Sequence, residues 1–219
     1  MALNKLKYNS LNITPAANKA ISFDSDADAL EATLEGGKMT FIKKLTASSS
    51  GTLSFVDGSS DVVLDSTYKE YVFIFNNIHP GTDNVQLTFN MSVDSGSNYN
   101  VTKTTSFFRT YHRENGSDGT LTYDANRDLT QSTDFQPIAS YLGNDSDQCA
   151  GGFLHLFNPS STTFVKHFIA TTSDYNYVDY AQNCFIGGYG NTTSAVDAVQ
   201  FKMDSGNIDA GTITLYGIN

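Results

Sequence analysis

The chain has 219 residues, a formal net charge of −10, and only 16% charged residues, against about 25% in an ordinary soluble protein. No basic patch offsets the acidic balance, which argues against binding nucleic acid through its phosphates and against an anionic membrane surface. No apolar run approaches the roughly 20 residues a bilayer span requires.

Ser, Thr, Asn and Gly take the place of charge, which suits turns and sheet surfaces and disfavours long helices. A domain of this size buries roughly 70% of the surface its unfolded chain exposes. A metal or disulfide is therefore not needed for stability; separately, no cofactor is expected. Fifteen Phe and twelve Tyr supply the core, with no Trp. Cys149 and Cys184 lack a CxxC spacing and are expected to be free, buried thiols. The start, Met1-Ala-Leu-Asn-Lys-Leu-Lys7, has no apolar segment behind its lysines and does not read as a secretory signal.

Residues 1–38 read as an extended N-terminal arm, with Thr14-Pro-Ala-Ala-Asn18, the acidic run Asp24-Ser-Asp-Ala-Asp28 and a closing Glu35-Gly-Gly37. One short strand is expected over 19–23. Such arms dock on a neighbouring subunit or stay disordered. Residues 39–219 read as a single domain. Strands are expected over 39–45, 52–56 and 62–64, with Asp57-Gly58 as a hairpin dipeptide. Tyr71-Val-Phe-Ile-Phe75 is a continuous apolar run, as in a strand covered on both faces. Asn76-Asn-Ile-His-Pro-Gly-Thr-Asp-Asn84 then reads as a breaker that no regular strand would hold.

In 85–93, Val85, Leu87, Phe89, Met91 and Val93 alternate with Gln86, Thr88, Asn90 and Ser92, giving one apolar and one wet face. The wet face is uncharged, so it faces either water or a neighbouring subunit. A strand over 99–111 precedes two long polar loops, 113–119 and 124–133. Residues 135–142 are ambiguous. A hairpin is expected over 153–170, a strand over 184–189, and a last hairpin from 199–203 to 212–216. Turn signals recur about every 8 to 12 residues, the spacing of an all-β, antiparallel β-sandwich of jelly-roll-like form.

Several patterns suggest chemistry. Asp24, Asp26, Asp28 and Glu35 occupy the oxygen-ligand positions of a calcium loop. Ala29 stands where that loop needs Gly, so a solvated acidic arm is the better reading and no metal is expected. His79, His112, His155 and His167 show no metal-ligand spacing, although His155 and His167 could meet across one hairpin. There is no G-x-S-x-G elbow, no phosphate-cradling Gly loop and no HExxH. The expectation is a protein without catalytic residues. Tyr175, Tyr177, Tyr180 and Tyr189 crowd one region with Asn176 and Asn183. Exposed aromatics beside amides suit a sugar-binding surface, though on a sheet they serve core or interface more often.

Three segments carry a resemblance: Ser95-Gly-Ser-Asn-Tyr-Asn-Val101; Phe157-Asn-Pro-Ser-Ser161 with Val165-Lys-His-Phe168; and the ending Met203-Asp-Ser-Gly-Asn-Ile-Asp-Ala-Gly-Thr-Ile-Thr-Leu-Tyr-Gly217. They resemble virion structural proteins of marine tailed phages, cyanophages and their relatives, over most of residues 60–219. The resemblance implies a non-enzymatic β domain made in the host cytoplasm and displayed on the virion as a head decoration, fibre or tail component. It further implies a homo-oligomer, a trimer held by its N-terminal arm, whose partners are other virion proteins. A receptor-binding, lectin-like fibre tip that recognises a host glycan through the tyrosine-rich loops is the alternative.

Overall fold

A computed structural model describes residues 20–23, 30–33 and 39–218. The chain divides into two compact units, Met1–Lys38 and Met39–Asn219. In the first, β1 (Ala20–Phe23) and β2 (Leu30–Thr33) pair antiparallel, with Phe23 opposite Leu30. β1 falls in the stretch expected as a strand, and β2 is an addition. The calcium-loop candidates Asp24, Asp26, Asp28 and Glu35 lie outside the described residues.

The second unit holds twelve strands: β3 (Met39–Thr46), β4 (Leu53–Val56), β5 (Glu70–Pro80), β6 (Val85–Ser92), β7 (Lys103–Arg113), β8 (Gly119–Tyr123), β9 (Gln136–Leu142), β10 (Ala150–Phe157), β11 (Lys166–Tyr175), β12 (Tyr180–Gly190), β13 (Ala198–Met203) and β14 (Ile208–Ile218). They form two antiparallel sheets. Eight strands run in the order β3-β14-β5-β10-β11-β12-β7-β8, and four in the order β4-β13-β6-β9. The fold is an all-β antiparallel sandwich, as the turn spacing predicts.

The core lies between the sheets. Tyr71, Phe73 and Phe75 of β5, Leu154 of β10 and Phe168 of β11 meet Phe55, Leu87, Phe89 and Phe201 of the smaller sheet. Phe201 is the hub: its ring lies 5.2 Å from Phe73, 5.3 Å from Phe75, 6.3 Å from Phe55 and 6.2 Å from Phe89. Each such side chain contributes roughly 1.5–3 kcal/mol by burial, and favourable ring pairs add about 0.5–1.5 kcal/mol.

The structure corrects five expectations. First, β5 continues through Asn76, Asn77, Ile78, His79 and Pro80 instead of stopping at Phe75. It does so as an irregular strand: Asn77 has φ 51°, and the register against β14 shifts twice. Opposite it, Gly211 has φ 109°, and a Cβ there would lie 2.4 Å from the Asn77 carbonyl oxygen, so the bulge depends on glycine. Second, residues 62–64 form no strand; Val62 and Leu64 are buried from a loop whose shape is fixed by the Leu64 N–H donating to Asp57 Oδ1 at 2.8 Å. Third, β13 and β14 are not a hairpin, because the chain crosses from the small sheet to the large one between them. Fourth, β8, within a stretch given no strand, adds an edge to the large sheet.

The fifth correction concerns the wet face of β6. Thr88, Asn90 and Ser92 are buried within this same chain and face neither water nor another subunit. Crossing segments cover them and use them as hydrogen-bonding partners. Asn90 Nδ2 donates to the Tyr99 carbonyl at 2.7 Å and the Thr133 carbonyl at 2.9 Å. Thr88 Oγ1 donates to the Lys202 carbonyl at 2.9 Å. Lys103 is fully buried, and its Nζ donates to Asn90 Oδ1 at 2.6 Å and the Val101 carbonyl at 2.8 Å. Burial pulls the Lys103 ammonium down to about 7, against the opposing pull of Asp134. Lys166, equally buried, donates to the carbonyls of Ser161, Phe164 and Thr192.

Replacing Asn90 with Leu removes one of two acceptors from Lys103 Nζ, the side-chain acceptor of the Met91 N–H, and the donor to two loop carbonyls. Unmet buried groups cost roughly 1–3 kcal/mol each, partly offset by relaxation. Asn90→Leu is expected to destabilise the domain by about 2–4 kcal/mol in urea unfolding, and a loss under about 0.5 kcal/mol, the size of an ordinary surface substitution, would contradict the role given to this face.

Candidate functional site

Four strands cannot cover eight. β9, an edge of the small sheet, packs against β11 and β12. It covers the inward face of β7 only in part: Thr105 donates to Gln136 Oε1 of β9 at 2.6 Å, and past Arg109 a gap opens. There the alternation Arg109, Tyr111, Arg113 places three large polar side chains on one face. The gap is a cavity of about 260 Å³ lined by Arg109, Tyr111, Tyr141, Asn176, Tyr177, Val178 and Tyr180.

Two stacked tyrosine pairs form much of its lining. Tyr111 and Tyr180, neighbours across β7 and β12, stack with ring centres 4.9 Å apart and 29° between planes. Tyr141 and Tyr177 stack at 6.3 Å and 27°. The Arg109 guanidinium bridges the pairs, 5.0 Å from the Tyr111 ring centre and 4.9 Å from that of Tyr141. Arg127 lies 4.2 Å from the Tyr141 ring and Arg113 lies 5.3 Å from that of Tyr180. All three arginines of the chain thus rest on tyrosines of this one site.

Local structure fixes these groups. Tyr177 sits at the tip of the β11–β12 hairpin, where the Val178 N–H donates to Asn176 Oδ1 at 2.9 Å and the Asp179 N–H to the Asn176 carbonyl at 3.1 Å. That side chain-to-backbone turn is the usual work of Asn. The Tyr177 N–H donates to the Tyr141 carbonyl at 3.0 Å. Tyr141 itself has φ 60°, a left-handed conformation that costs a bulky residue about 1–3 kcal/mol, and the cross-bond to the hairpin tip helps to hold it.

A polar network runs from the cavity into the core. Asp124 accepts from Arg109 Nε at 3.2 Å and from Arg127 Nη1 at 2.9 Å. Arg109 Nη1 donates to Gln182 Oε1 at 3.0 Å, and Gln182 Nε2 donates to the Ser140 carbonyl at 2.6 Å and Asp174 Oδ1 at 3.1 Å. Burial pushes the Asp174 carboxyl up to about 8, against the opposing pull of Gln182 and Arg109. The neighbouring Cys184 thiol is pushed up to about 12, chiefly by burial, so it stays protonated and is no nucleophile at neutral pH.

Of the tyrosines singled out in the sequence, the structure brings Tyr177 and Tyr180 together here. Tyr175 points to the other side of the hairpin, where its hydroxyl donates to Asp179 Oδ1 at 3.2 Å and it borders a separate hollow with Glu114 and Ala181. Tyr189 lies at the far end of β12, about 30 Å along the strand from Tyr180, with its ring 6.0 Å from that of His167. Arg109, Tyr111 and Tyr141 escape a search for clustered tyrosines. The period-two spacing of Arg109, Tyr111 and Arg113 is the signal that would have found two of them.

The remaining candidates stay apart. His155 Nδ1 bonds Glu70 Oε1, and His155 lies opposite Ile169, not His167. Cys149 and Cys184 are both free; Cys184 is buried, whereas Cys149 is only half-buried. Cys149 shares a second cavity with His79 and Asp209. There His79 Nε2 meets the Asp145 carbonyl at 3.2 Å and the Cys149 thiol donates to Asn77 Oδ1 at 4.0 Å, so the imidazole is not aimed at the sulfur. Among the described residues, no three His, Cys, Asp or Glu side chains are grouped to hold a metal ion.

Asp174 has a clear pH signature. Its folded-state value, about 8, lies above the ordinary 3.8, so its contribution to stability is fully present below about pH 4 and is lost as pH rises to about 8. The slope is at most about 1.4 kcal/mol per pH unit. Asp174→Asn removes that decline, so its stability relative to the native chain is expected to climb from pH 5 to pH 8 and then level. Parallel profiles for the two proteins in pH-resolved thermal unfolding would contradict a protonated Asp174. Compared with family models, curated proteins and solved structures, the chain matches none of them.

Proposed function

We propose that this chain is a non-enzymatic structural component of a phage virion, a jelly-roll-like domain that acts through contacts with copies of itself and with other virion proteins. The observation that carries the self-association is the outer face of the eight-stranded sheet. Cross-strand register aligns Phe153, Phe185, Phe108 and Tyr123 in one row, and Phe41 and Ile169 in the next. Phe41, Phe108, Tyr123 and Ile169 are 41% to 59% exposed. Exposed aromatic and aliphatic side chains gathered on one sheet face mark an interaction site.

The charge distribution favours a second copy as the occupant. Copies carrying −10 repel one another. They approach best through a band whose adjoining carboxylates are engaged within the chain, Glu70 with His155 and Asp128 with the Tyr123 hydroxyl. The phage assignment itself rests on the resemblance in the three quoted segments. In that setting the protein is assembled from the host cytoplasm into the particle, as a trimer.

Static light scattering at micromolar concentration is expected to give three times the 23.8 kDa chain mass, and Phe108→Lys with Ile169→Lys is expected to give a folded monomer. A native chain of single-chain mass would overturn self-association. Antibody labelling is expected to locate the protein on purified particles by electron microscopy; its absence there would overturn the virion role.

A second reading, binding of a host glycan, is favoured by the tyrosine-lined cavity at an exposed hairpin tip. On a glycan array, the native chain is expected to bind, and Tyr177→Ala or Tyr180→Ala to lose about tenfold or more, some 1.4 kcal/mol. Retention of full binding by both variants would rule this cavity out as the sugar site.

A further inference from the structure

We infer that the cavity between the two tyrosine pairs takes a single saccharide ring that carries a carboxylate. The inference rests on glycan binding at this cavity and adds the charge of the ligand. Arg109 is the one charged residue in the lining. Its guanidinium carbon lies over two rings, 5.0 Å from the centre of Tyr111 and 4.9 Å from that of Tyr141. Its Nε and Nη1 are engaged by Asp124 and Gln182, while Nη2 donates to no group among the described residues. An in-plane edge of a fixed guanidinium is the geometry that receives a carboxylate.

The surroundings do not neutralise that edge. Asp124 is shared between two arginines, Arg109 and Arg127. Asp174, the next acid along the network, is held protonated at neutral pH by burial. Two rim carboxylates keep their charge but are bonded to tyrosine hydroxyls rather than to Arg109: Asp118 accepts from the Tyr180 hydroxyl at 3.3 Å, and Asp179 from that of Tyr175. A local cationic edge in a chain of net charge −10 is therefore selective, because anions are repelled from most of the rest of the surface.

Size and lining set the rest of the ligand. About 260 Å³ falls below the roughly 300–1,000 Å³ of a site for a drug-sized molecule, so one ring fits and an oligosaccharide extends outward. Tyrosine faces pack against the C–H face of a sugar, and their hydroxyls, with the Asn176 amide, meet its hydroxyl groups. Asn176 is buried with Oδ1 committed to the hairpin turn, which leaves Nδ2 as the donor.

The test uses the full chain and three probes that differ only at one carbon: galacturonate, its methyl ester and galactose. Isothermal titration and saturation-transfer NMR are expected to give galacturonate about tenfold or more tighter binding than either neutral probe, a difference of some 1.4 kcal/mol. Arg109→Gln is expected to reduce galacturonate binding to the level of galactose. Should that variant unfold, Tyr177→Ala, altered at an exposed position, tests the location alone and is expected to lose binding of all three. Equal binding of the three probes by the native chain overturns the acidic ligand and leaves glycan binding standing. Binding of none at millimolar concentration overturns both. Galacturonate binding undiminished in Tyr177→Ala places the ligand elsewhere and overturns the inference.

Discussion

The controlling constraint is a mismatch of widths. A sheet of eight strands presents one inward face, and a sheet of four covers only part of it. Where the cover is present, the face is mostly apolar, with Phe201 filling the centre and Thr105 and Thr172 bonded to β9. Where it ends, the same face turns polar within one strand, from Phe107 to Arg109 to Tyr111 along β7. Arginine stacked on tyrosine suits that boundary, since the rings exclude water from one side while the charge keeps partners on the other. The cavity is thus a consequence of incomplete layering, fixed by rigid strands on one side and a tight hairpin on the other.

The second theme is polarity used as mortar. Asn90, Lys103, Lys166 and Gln182 are buried almost completely, and each is satisfied by carbonyls or side chains of segments distant in sequence. Such groups add little net stability when paired, yet leaving one unpaired costs much more. Their value lies in specificity: long irregular crossings such as 124–135 have few apolar residues to anchor them, and the hydrogen bonds fix where they lie. A wholly apolar small sheet would permit more than one placement.

How much of this is legible in the sequence varies by element. The alternation over 85–93 declares a strand, and the run Tyr71–Phe75 a buried one, because periodicity reports local geometry. What covers the polar side of β6 is a tertiary fact: Asn90 reads the same whether it meets water or the Thr133 carbonyl. Asp94-Ser-Gly and Asp204-Ser-Gly advertise two similar turns, but not that β6 and β13 lie side by side with Phe89 opposite Phe201. Asp57-Gly58 likewise marks a reversal without saying that the chain then leaves its sheet. At the cavity, Tyr177 and Tyr180 are conspicuous because they cluster along the chain. Tyr141 is invisible to that search, since only sheet order and its left-handed backbone bring it to Tyr177.

The strand order also sets a timetable. β14, which follows every other strand of its sheet in chain order, lies between β3 and β5, the first two. Until residues 208–218 are free to insert, β5 presents an open hydrogen-bonding edge on that side and β3 has no partner in its sheet. Contacts that span nearly the whole domain are slow to form because the loop must close before they repay its entropy. Folding therefore cannot finish strand by strand as the chain emerges; it closes in one late step, like a zip drawn from the far end. The nascent molecule is most prone to pairing with its own siblings during that interval.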